Sequence, residues 1–446
     1  MNIESLKRYV DDRPDEGVFR VHSKAFSDPE IFELEMKYIF ERTWNFVTLE
    51  SEIAKPHDFV SSQIGRTPIF LTRDANGNIG AFINACRHKG ATVCRMSAGN
   101  ARYHVCPYHG WAYDSAGKNV DIKDRKSGCY APAFDAQNHD LIPVAKLGNY
   151  RGMIFVSLSS QVPPLEQWLG EMRTMLDISI DQGPEGLEFV PGRTTYTFRA
   201  NWKLQLDNAL DAYHLTTTHT SFMDLMARRR KGDGNQDARQ YDWGTRGSST
   251  GGMFAFRNGH SCTWGDHAER TKRPIWPMID EIRGRVGDVR AEWMLRLRQL
   301  SVFPNMQIND ASGVILRVIR PISVDLTEMH SYCLALKGDS AEVRTRRMRQ
   351  FEDFFNPGGM ATPDDTVTYA DAQRGFAASG FEWVNGYARG GASITPDNEL
   401  ARELGLKPEA SAEGAWNLFN EVGLHEPYRE WARLIQAGLA GEKAFS

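Results

Sequence analysis

The hydrophobic pattern begins with a helix and then changes its period. Ser27-Asp28-Pro29 is typical of a helix start, because proline is favoured in the first helical turn. Apolar residues then recur at helical spacing, which predicts an amphipathic helix that ends near Trp44. After Trp44, short β-type runs alternate with turn signals such as Asn76-Gly77. The predicted strands are Trp44–Glu50, Asp58–Ile64, Pro68–Arg73, Ile79–Asn84, Ala101–Val105, Trp111–Tyr113 and Gly152–Leu158. We therefore expect an all-β insert over about residues 40–160.

Pro163-Pro164 separates this insert from a region of mixed pattern. A helix is predicted for Leu165–Leu176 and an alternating strand for Thr194–Arg199, and the later runs mix both types, as in an α+β domain. The later runs are Val289–Leu300, Leu316–Ile319, His330–Leu336 and Glu342–Phe355. Residues 228–250 are polar, glycine-rich and aperiodic. They are interpreted either as a solvated surface loop or as a flap over a substrate pocket.

Composition excludes several classes of protein. A chain of 446 residues is long enough for two or three domains. The net charge of −4 gives no footprint for nucleic acid, and no apolar run approaches the length of a membrane span. Six scattered cysteines are no disulfide framework, and the first residues do not form a secretory signal. We expect a cytoplasmic protein that binds neither nucleic acid nor membrane.

Two Cys-His pairs carry the strongest chemical signal. Cys86 and His88 form a C-x-H pair, and Cys106 and His109 form a C-x-x-H pair further along the insert. Two thiolates and two imidazoles can hold one tetrahedral zinc ion. They can also hold a [2Fe–2S] cluster, in which one iron takes both thiolates and the other both imidazoles. Zinc sites tend to group cysteine with cysteine, whereas each loop here supplies one ligand of each kind, so the pairing favours the cluster.

A second group of ligand-type side chains follows Asn208. Asp211 and His214 are three residues apart, and His219 lies five residues beyond His214. An ideal helix would separate the two histidines by about 140° around its axis, so convergence on one metal requires a widened or broken helix between them. Far downstream, Asp364 and Asp365 follow a predicted helix. Two histidines and one carboxylate form the facial triad of non-haem Fe(II) sites. Hydrogen-bonded core histidines and a helix cap are the alternatives.

These motifs resemble the Rieske ring-hydroxylating dioxygenases, in their large (α) subunits. The resemblance rests on the two Cys-His loops, on N-W-K at residues 201–203, on D-x-x-H-x-x-x-x-H and on P-G-G-x-x-x-x-D-D. Lys89 stands where the family usually has arginine, which keeps the charge but loses the planar fork. The implied fold class is α+β, with an all-β Rieske [2Fe–2S] domain inserted into an α+β catalytic domain built on an antiparallel sheet with flanking helices. The expected domains are an N-terminal helical segment (1–40) packing on the catalytic domain, a Rieske domain (41–160) and a catalytic mononuclear iron domain (161–446).

The resemblance also implies roles for individual residues. Cys86, His88, Cys106 and His109 would hold the [2Fe–2S] cluster, and His214, His219 and Asp365 would bind mononuclear Fe(II), with Asp364 the less favoured carboxylate of its pair. Asp211 would be a bridging carboxylate, hydrogen-bonded to His214 in its own subunit and to His109 of the partner subunit. Asn208 would line the iron pocket. In a head-to-tail ring, each cluster would then supply electrons to the neighbouring iron.

Within the family the chain looks most like the benzoate-, anthranilate- and salicylate-type enzymes, which implies an aromatic acid substrate and a catechol or cis-diol product. An anionic substrate needs a cation or several donors in its pocket, and Arg257 and Arg317 are candidates, although most arginines are surface ion-pair partners. Candidates for the apolar wall are Phe222, Met253, Phe256, Val302 and Phe303, although core packing is the more common role for each of them.

The expected partners are other proteins of an electron-transfer chain. The chain has no convincing glycine fingerprint for a nucleotide, so NADH should be oxidised by a separate ferredoxin reductase, with or without a ferredoxin between them. A small β subunit is expected, in an α3β3 assembly or, without it, α3. Two other functions remain open: a Rieske monooxygenase or demethylase acting on another aromatic compound, and a non-catalytic electron-transfer or zinc protein.

Overall fold

The computed structural model describes residues 9–231, 250–267, 269–310, 314–395, 397–415 and 420–445. Contacts between residues divide the chain into two compact units. One unit is Phe40–Leu165, and the other combines Met1–Ile39 with Glu166–Ser446. Among the helices of the described residues, none has both the length and the apolar character that crossing a bilayer requires.

The Phe40–Leu165 unit is built from three small antiparallel sheets, which confirms the predicted all-β character of this region. In sheet order, the first contains Ile79–Ile83, Thr67–Arg73, Asp58–Ile64 and Ala98–Asn100; the second contains Lys146–Tyr150, Met153–Ser157 and Asn45–Leu49; the third contains Asn119–Asp121, Ala112–Asp114 and Tyr103–Val105. The short helices are Glu50–Ile53 and Pro132–Asp135. Aliphatic residues such as Val60, Ile69 and Ile154 form one core cluster of this unit.

The hairpin predicted at Asn76-Gly77 shows how local chemistry sets strand register. The Asp74 carboxylate accepts hydrogen bonds from the backbone N–H groups of Asn76 and Asn78, both at 2.8 Å. Gly77 has a φ of +89°, a conformation that costs glycine little. The turn therefore pairs Thr67–Arg73 with Ile79–Ile83, and Arg73 stands opposite Ile79.

The larger unit is organised on an antiparallel sheet that has nine strands among the described residues. In sheet order its strands are Leu187–Phe189, Leu326–Leu336, Val314–Ser323, Met306–Asp310, Leu297–Val302, His260–Gly265, Thr250–Phe256 and Ala410–Ala415, with Thr194–Phe198 also paired to Leu326–Leu336. Apolar and polar residues alternate little along the strands after residue 250, because many positions on both faces of the sheet are buried. This sheet and the helices around it confirm the predicted α+β architecture.

Helices surround this sheet within the larger unit. The α-helices are Lys24–Ser27, Pro29–Glu35, Leu165–Leu169, Met172–Ile180, Trp202–Asn208, Leu215–Thr218, Thr220–Lys231, Ile279–Val286, Asp288–Leu295, Ala341–Gln350, Ala361–Phe376, Glu399–Glu403 and His425–Ala440. Wider π turns occupy Met36–Phe40 and Phe351–Phe355. Short 3-10 turns occupy Pro14–Glu16, Arg257–Gly259, Arg270–Lys272, Trp276–Met278, Gly386–Ala388, Gly391–Ser393 and Val422–Leu424.

Three predicted elements differ from the structure. The helix expected over Leu165–Leu176 is two helices, because Gly170 has a φ of +51° between them. The loop expected at residues 228–250 begins later, since Arg228 to Lys231 form the last turn of a helix; residues 232–249 lie outside the described residues. The segment 1–40, expected to be helical, contains a β-hairpin before Ser27, in which Val10–Arg13 pairs with Val18–His22.

The N-W-K motif connects the N-terminal helix to the centre of the larger unit. Asn201 caps the helix Trp202–Asn208 through a hydrogen bond from the Lys203 backbone N–H at 3.1 Å. The indole of Trp202 donates to the buried Glu35 carboxylate at 2.8 Å, and Lys203 forms an ion pair with the same carboxylate. The indole of Trp431 donates to Glu35 at 2.7 Å. Glu35 is therefore satisfied on both oxygens although it is buried.

Candidate metal centres

Each of the two Cys-His loops forms a turn, and the two turns have the same pattern of backbone hydrogen bonds. In the first loop the Cys86 carbonyl accepts from the Gly90 N–H at 2.8 Å, and the Cys86 N–H donates to the Ala91 carbonyl at 2.8 Å. In the second loop the Cys106 carbonyl accepts from the Gly110 N–H at 3.0 Å, and the Cys106 N–H donates to the Trp111 carbonyl at 2.8 Å. Both glycines have positive φ, +74° and +73°, so the short ligand spacing is a consequence of a turn that glycine closes.

The turns place the sulfur atoms inside and the imidazoles outside. Cys86 and Cys106 are buried, whereas His88 is exposed and His109 half-buried. The Nδ1 atoms of the two imidazoles face each other at 3.1 Å. This arrangement of one sulfur pair and one nitrogen pair fits the donor set of a [2Fe–2S] cluster with two thiolates on one iron and two imidazoles on the other.

The surroundings of the four donors also suit metal binding. Burial raises the pKa of the Cys86 thiol, and the Tyr113 hydroxyl, 3.3 Å from the Cys86 sulfur, acts in the opposite direction. Tyr113 also accepts a hydrogen bond from the Arg87 backbone N–H at 3.0 Å. Loss of hydration, followed by the influence of His88 and the positive charge of Lys89, lowers the pKa of His109, which favours the neutral imidazole that binds metal.

The second group of ligands follows a helix that is held at both ends. Glu35 holds the start of Trp202–Asn208 through Lys203, and Asp207 holds its end. The Asp207 carboxylate accepts from the hydroxyls of Tyr387 at 2.7 Å and Tyr428 at 3.0 Å, and its burial raises its pKa to about 7. Asn208, the next residue, is therefore presented from a fixed helix end.

The two histidines lie at the two ends of a single helical turn. The chain leaves the helix after Asn208, forms one helical turn over Leu215–Thr218 and breaks at His219 (φ −105°, ψ +33°) before the helix Thr220–Lys231. The five-residue spacing predicted either a widened or a broken helix, and the structure has a break. Asp211 precedes the helical turn rather than lying on a helix, so its contact with His214 is made from the loop.

Asp364 and Asp365 follow the helical stretch that ends at Phe355, as expected, and they lie in the first turns of the next helix, Ala361–Phe376. Consecutive helical residues point about 100° apart, and the two carboxylates therefore separate. Asp365 is buried and its Oδ1 lies 3.1 Å from His219 Nε2 and 3.5 Å from His214 Nε2. Asp364 is partly exposed and its Oδ2 lies 3.3 Å from His219 Nδ1.

Each histidine is held by a carboxylate on the nitrogen that faces away from the centre. Asp211 Oδ2 lies 2.9 Å from His214 Nδ1, and Asp364 plays the same part for His219. Both Nε2 atoms then point to Asp365, and the three donor atoms lie within 4.8 Å of one another. Metal-ligating histidines usually have such a carboxylate partner, so these residues fit a divalent metal ion. The Asn208 amide contacts both His214 Nε2 (3.1 Å) and Asp365 Oδ1 (3.2 Å).

A cavity opens on this triad. Apart from the triad, Asn208 and Asp211, the residues that line it are Ala209, Ala212, Leu215, Thr263, Trp264, Leu297, Arg298, Gln299, Asn309, Arg317, Phe354 and Phe355. The lining combines apolar side chains with polar and charged ones that can fix the orientation of a bound small molecule. Phe354 and Phe355 belong to the π turn before the Asp-Asp motif, and the periodicity of that segment did not single them out.

Of the residues expected to form the pocket, one lines the cavity and the others do not. Arg317 lines the cavity and is buried, whereas Arg257 is at the surface, with its side chain 85% exposed and paired with Glu409 at 2.6 Å. Arg257 is therefore excluded as a pocket residue. The five apolar candidates, Phe222, Met253, Phe256, Val302 and Phe303, are all buried but are not among the residues that line the cavity.

Two family models match the chain at the places where these centres lie. Residues 43–140 match the Rieske [2Fe-2S] domain, and residues 188–437 match the catalytic domain of the ring hydroxylating alpha subunit. The chain is 40% identical to the toluate 1,2-dioxygenase subunit alpha of Pseudomonas putida over 92% of this chain and 90% of the relative. It is 39% identical to the anthranilate 1,2-dioxygenase large subunit of Acinetobacter baylyi over 96% and 92%. A solved structure of naphthalene 1,2-dioxygenase with indole bound superposes with a TM-score of 0.82 at 25% identity, covering 100% of this chain and 98% of the other.

Proposed function

Because this chain belongs to the family of ring-hydroxylating dioxygenase alpha subunits, we propose that it is the large subunit of a terminal oxygenase that hydroxylates an aromatic carboxylate with O2 and NADH-derived electrons. The product is a catechol or a cis-diol. The acid of the benzoate, anthranilate or salicylate type is supported by relatives named for toluate and anthranilate. We also propose three domains with the limits given by the sequence: an N-terminal segment (1–40), a Rieske domain (41–160) and a catalytic domain (161–446).

Within this proposal the two sites hold different iron centres. Cys86, His88, Cys106 and His109 hold a [2Fe–2S] cluster, and His214, His219 and Asp365 hold ferrous iron. When bound, the cluster stores an electron and the ferrous ion activates O2. The observation that carries the proposal is the convergence of two Nε2 atoms on the Asp365 carboxylate at the end of a cavity, with each opposite Nδ1 held by a carboxylate.

The surrounding side chains orient the ligands and enclose the site. Asp211 accepts a hydrogen bond from the Nδ1–H of His214, and Asp364 accepts one from the Nδ1–H of His219, which leaves Nε2 of each ring unprotonated for the metal. Asn208 restrains His214 and Asp365 from the side. Apolar residues such as Phe354 and Phe355 exclude water from the part of the cavity where an aromatic ring would lie.

The partners are proposed on the same basis. A small β subunit completes an α3β3 assembly, or the chain forms α3 alone, and Asp211 of one subunit accepts a hydrogen bond from His109 of the partner subunit. The Asp211 side chain is 20% exposed, and this exposure and the outward direction of His88 and His109 support such a contact. Electrons reach the cluster from a separate NADH-dependent reductase, directly or through a ferredoxin. None of the six cysteines forms a disulfide, which suits the reducing cytoplasm.

Labelled oxygen tests the reaction. The purified oxygenase, with a surrogate reductase and NADH, is supplied with 18O2 and with benzoate, anthranilate or salicylate in turn. We expect at least one acid to give a diol or catechol whose newly added oxygen atoms come from 18O2. With benzoate, incorporation of two labelled atoms identifies a dioxygenase, and incorporation of one identifies a monooxygenase. A colourless, iron-free protein after anaerobic reconstitution would contradict both.

A further inference from the structure

Arg317 brings a positive charge to the cavity beside the candidate iron ligands. It lies in the strand Val314–Ser323, and its side chain lines the same cavity as His214, His219 and Asp365. Arg317 is only 5% exposed. A buried guanidinium is always protonated and has five N–H donors to satisfy, so its partners reveal what it is built to bind.

Very little of that donor capacity is used inside the protein. Arg317 Nη2 makes one long hydrogen bond, 3.4 Å, to the Thr362 hydroxyl, which itself donates to the Phe355 carbonyl. The Phe355 ring lies 4.8 Å from the guanidinium carbon, and Arg317 Nε is buried without a partner. Within the described residues, no carboxylate oxygen lies within ion-pair distance of Arg317. A buried charge without a counter-ion is costly, and proteins retain such charges where a ligand supplies the counter-ion.

The neighbouring polar groups do not neutralise Arg317 either. Tyr196 and Tyr369 are buried near it, and the Tyr369 hydroxyl has no hydrogen-bond partner. Burial raises the pKa of both phenols, so neither is a tyrosinate counter-ion near neutral pH. Asp365, the carboxylate of the triad, turns its Oδ1 to the two histidines and Asn208.

Another arginine of the same cavity provides the contrast. Arg298 is fully buried, pairs with Asp310 and also donates to the Trp293 and Arg296 carbonyls. The Asp310 carboxylate neutralises its charge. Arg273 pairs with the same carboxylate at 2.6 Å, so its charge is also neutralised within the protein. Among the described residues four arginines are buried, and the fourth, Arg347, pairs with Asp339 at 2.8 Å. Arg317 is the one of the four whose charge is left for a ligand.

We propose that Arg317 binds the carboxylate of the aromatic acid and so sets the preference of this site for anionic rings. The inference rests on the proposed function and adds the residue that selects the substrate class. The planar fork suits a two-point contact with a carboxylate, which also fixes the orientation of the ring. Phe355 supplies apolar surface next to the guanidinium, and Phe354 and the triad line the same cavity.

Binding of a charged and a neutral ring separates this role from a structural one. Calorimetric titration of the purified oxygenase uses benzoate and benzamide, which have nearly the same shape but differ in charge. We expect Arg317→Gln to raise the Kd of benzoate about 30-fold, as for a lost charge-assisted hydrogen bond, and to change the Kd of benzamide less than about threefold. Arg317→Lys, which keeps the charge but loses the fork, should fall between wild type and Arg317→Gln for benzoate. Arg257→Gln is the matched control, because Arg257 is exposed and paired at the surface, and it should leave both constants unchanged.

Three results would overturn the inference. One is wild-type protein that does not prefer benzoate to benzamide, and the second is Arg317→Gln protein that keeps the wild-type Kd for benzoate. The third is an equal loss of both ligands, which would indicate damage to the cavity. If Arg317→Gln does not fold, the ratio of the Kd of benzoate to the Kd of benzamide is measured in Arg317→Lys alone and tests the inference in the same way. The proposed function fails separately, when wild-type protein hydroxylates no aromatic acid; hydroxylation of benzoate with an unchanged KM in Arg317→Gln would refute the role of Arg317 alone.

Discussion

The two candidate metal centres differ in how much of each is built by neighbouring residues. The Cys-His loops make their own hydrogen bonds, with one glycine closing each turn, and both lie in one small β unit. The second centre needs a broken helix at His219 and a carboxylate from Asp365, far along the chain. The first is therefore a local structure repeated twice, and the second exists only when the large unit has folded.

The centres also differ in what they face. His88 and His109 point outward from buried sulfur atoms, whereas His219 and Asp365 are buried against a cavity. An outward pair of imidazoles suits contact with another protein, and a buried triad suits a small substrate. This contrast is what a separate electron store and a separate reaction site require.

Removing one cluster ligand should have the largest effect. Cys106→Ser replaces a buried thiolate donor with a hydroxyl and should abolish the visible absorbance of the cluster and all NADH-driven turnover. Mononuclear iron should remain, because the second centre shares no residue with the first. Absorption spectra and iron analysis check both expectations; an unchanged visible spectrum would exclude Cys106 as a ligand.

The reverse experiment breaks the second centre alone. His214→Ala removes one of the two Nε2 donors that face Asp365, so the protein should lose mononuclear iron and turnover while its cluster spectrum stays as in wild type. Metal analysis after anaerobic loading gives the stoichiometry. Retained hydroxylation would show that His214 is not a ligand.

Asp211→Asn tests the link between the centres. Its carboxylate orients His214 from 2.9 Å and also accepts from the Tyr213 N–H at 2.5 Å. Loss of such an outer partner typically reduces metal affinity or activity about 10–100-fold. If Asp211 also forms the bridge between subunits, reoxidation of the reduced cluster by O2 and substrate should stop even with both metals present. A normal single turnover of the metal-loaded variant would defeat the bridge.

The smallest effect is expected at Tyr113. Its hydroxyl lies 3.3 Å from the Cys86 sulfur, and hydrogen bonds to cluster sulfurs stabilise the more negative, reduced form. Removing a hydrogen bond worth about 1 kcal/mol by Tyr113→Phe should lower the cluster potential by about 40 mV. Redox titration followed by absorption measures the shift, and Tyr103→Phe, an exposed tyrosine of the same unit, is the control. A potential that does not fall would remove Tyr113 from the environment of the cluster.

Local chemistry explains why some elements were predictable. Asp58–Ile64 is a strand with the predicted limits, and the Asn76-Gly77 turn forms because glycine tolerates positive φ there. The position of Glu35 in the sequence also carries a signal, which predicts a buried ion pair. It lies four residues after Ile31 and four before Ile39, on the buried stripe of the helix, where an acid requires a buried partner.

The sequence by itself determined the ligand types, their spacing in each loop and the α+β class, because turns and hydrophobic periods depend on neighbouring residues. Tertiary structure alone decided that Asp364 holds His219, and that Arg317 rather than Arg257 reaches the cavity. The physical reason is that burial and pairing are long-range. An arginine has the same chemistry at either position, and only the packing of distant segments determines whether a carboxylate, water or a substrate completes its hydrogen bonds.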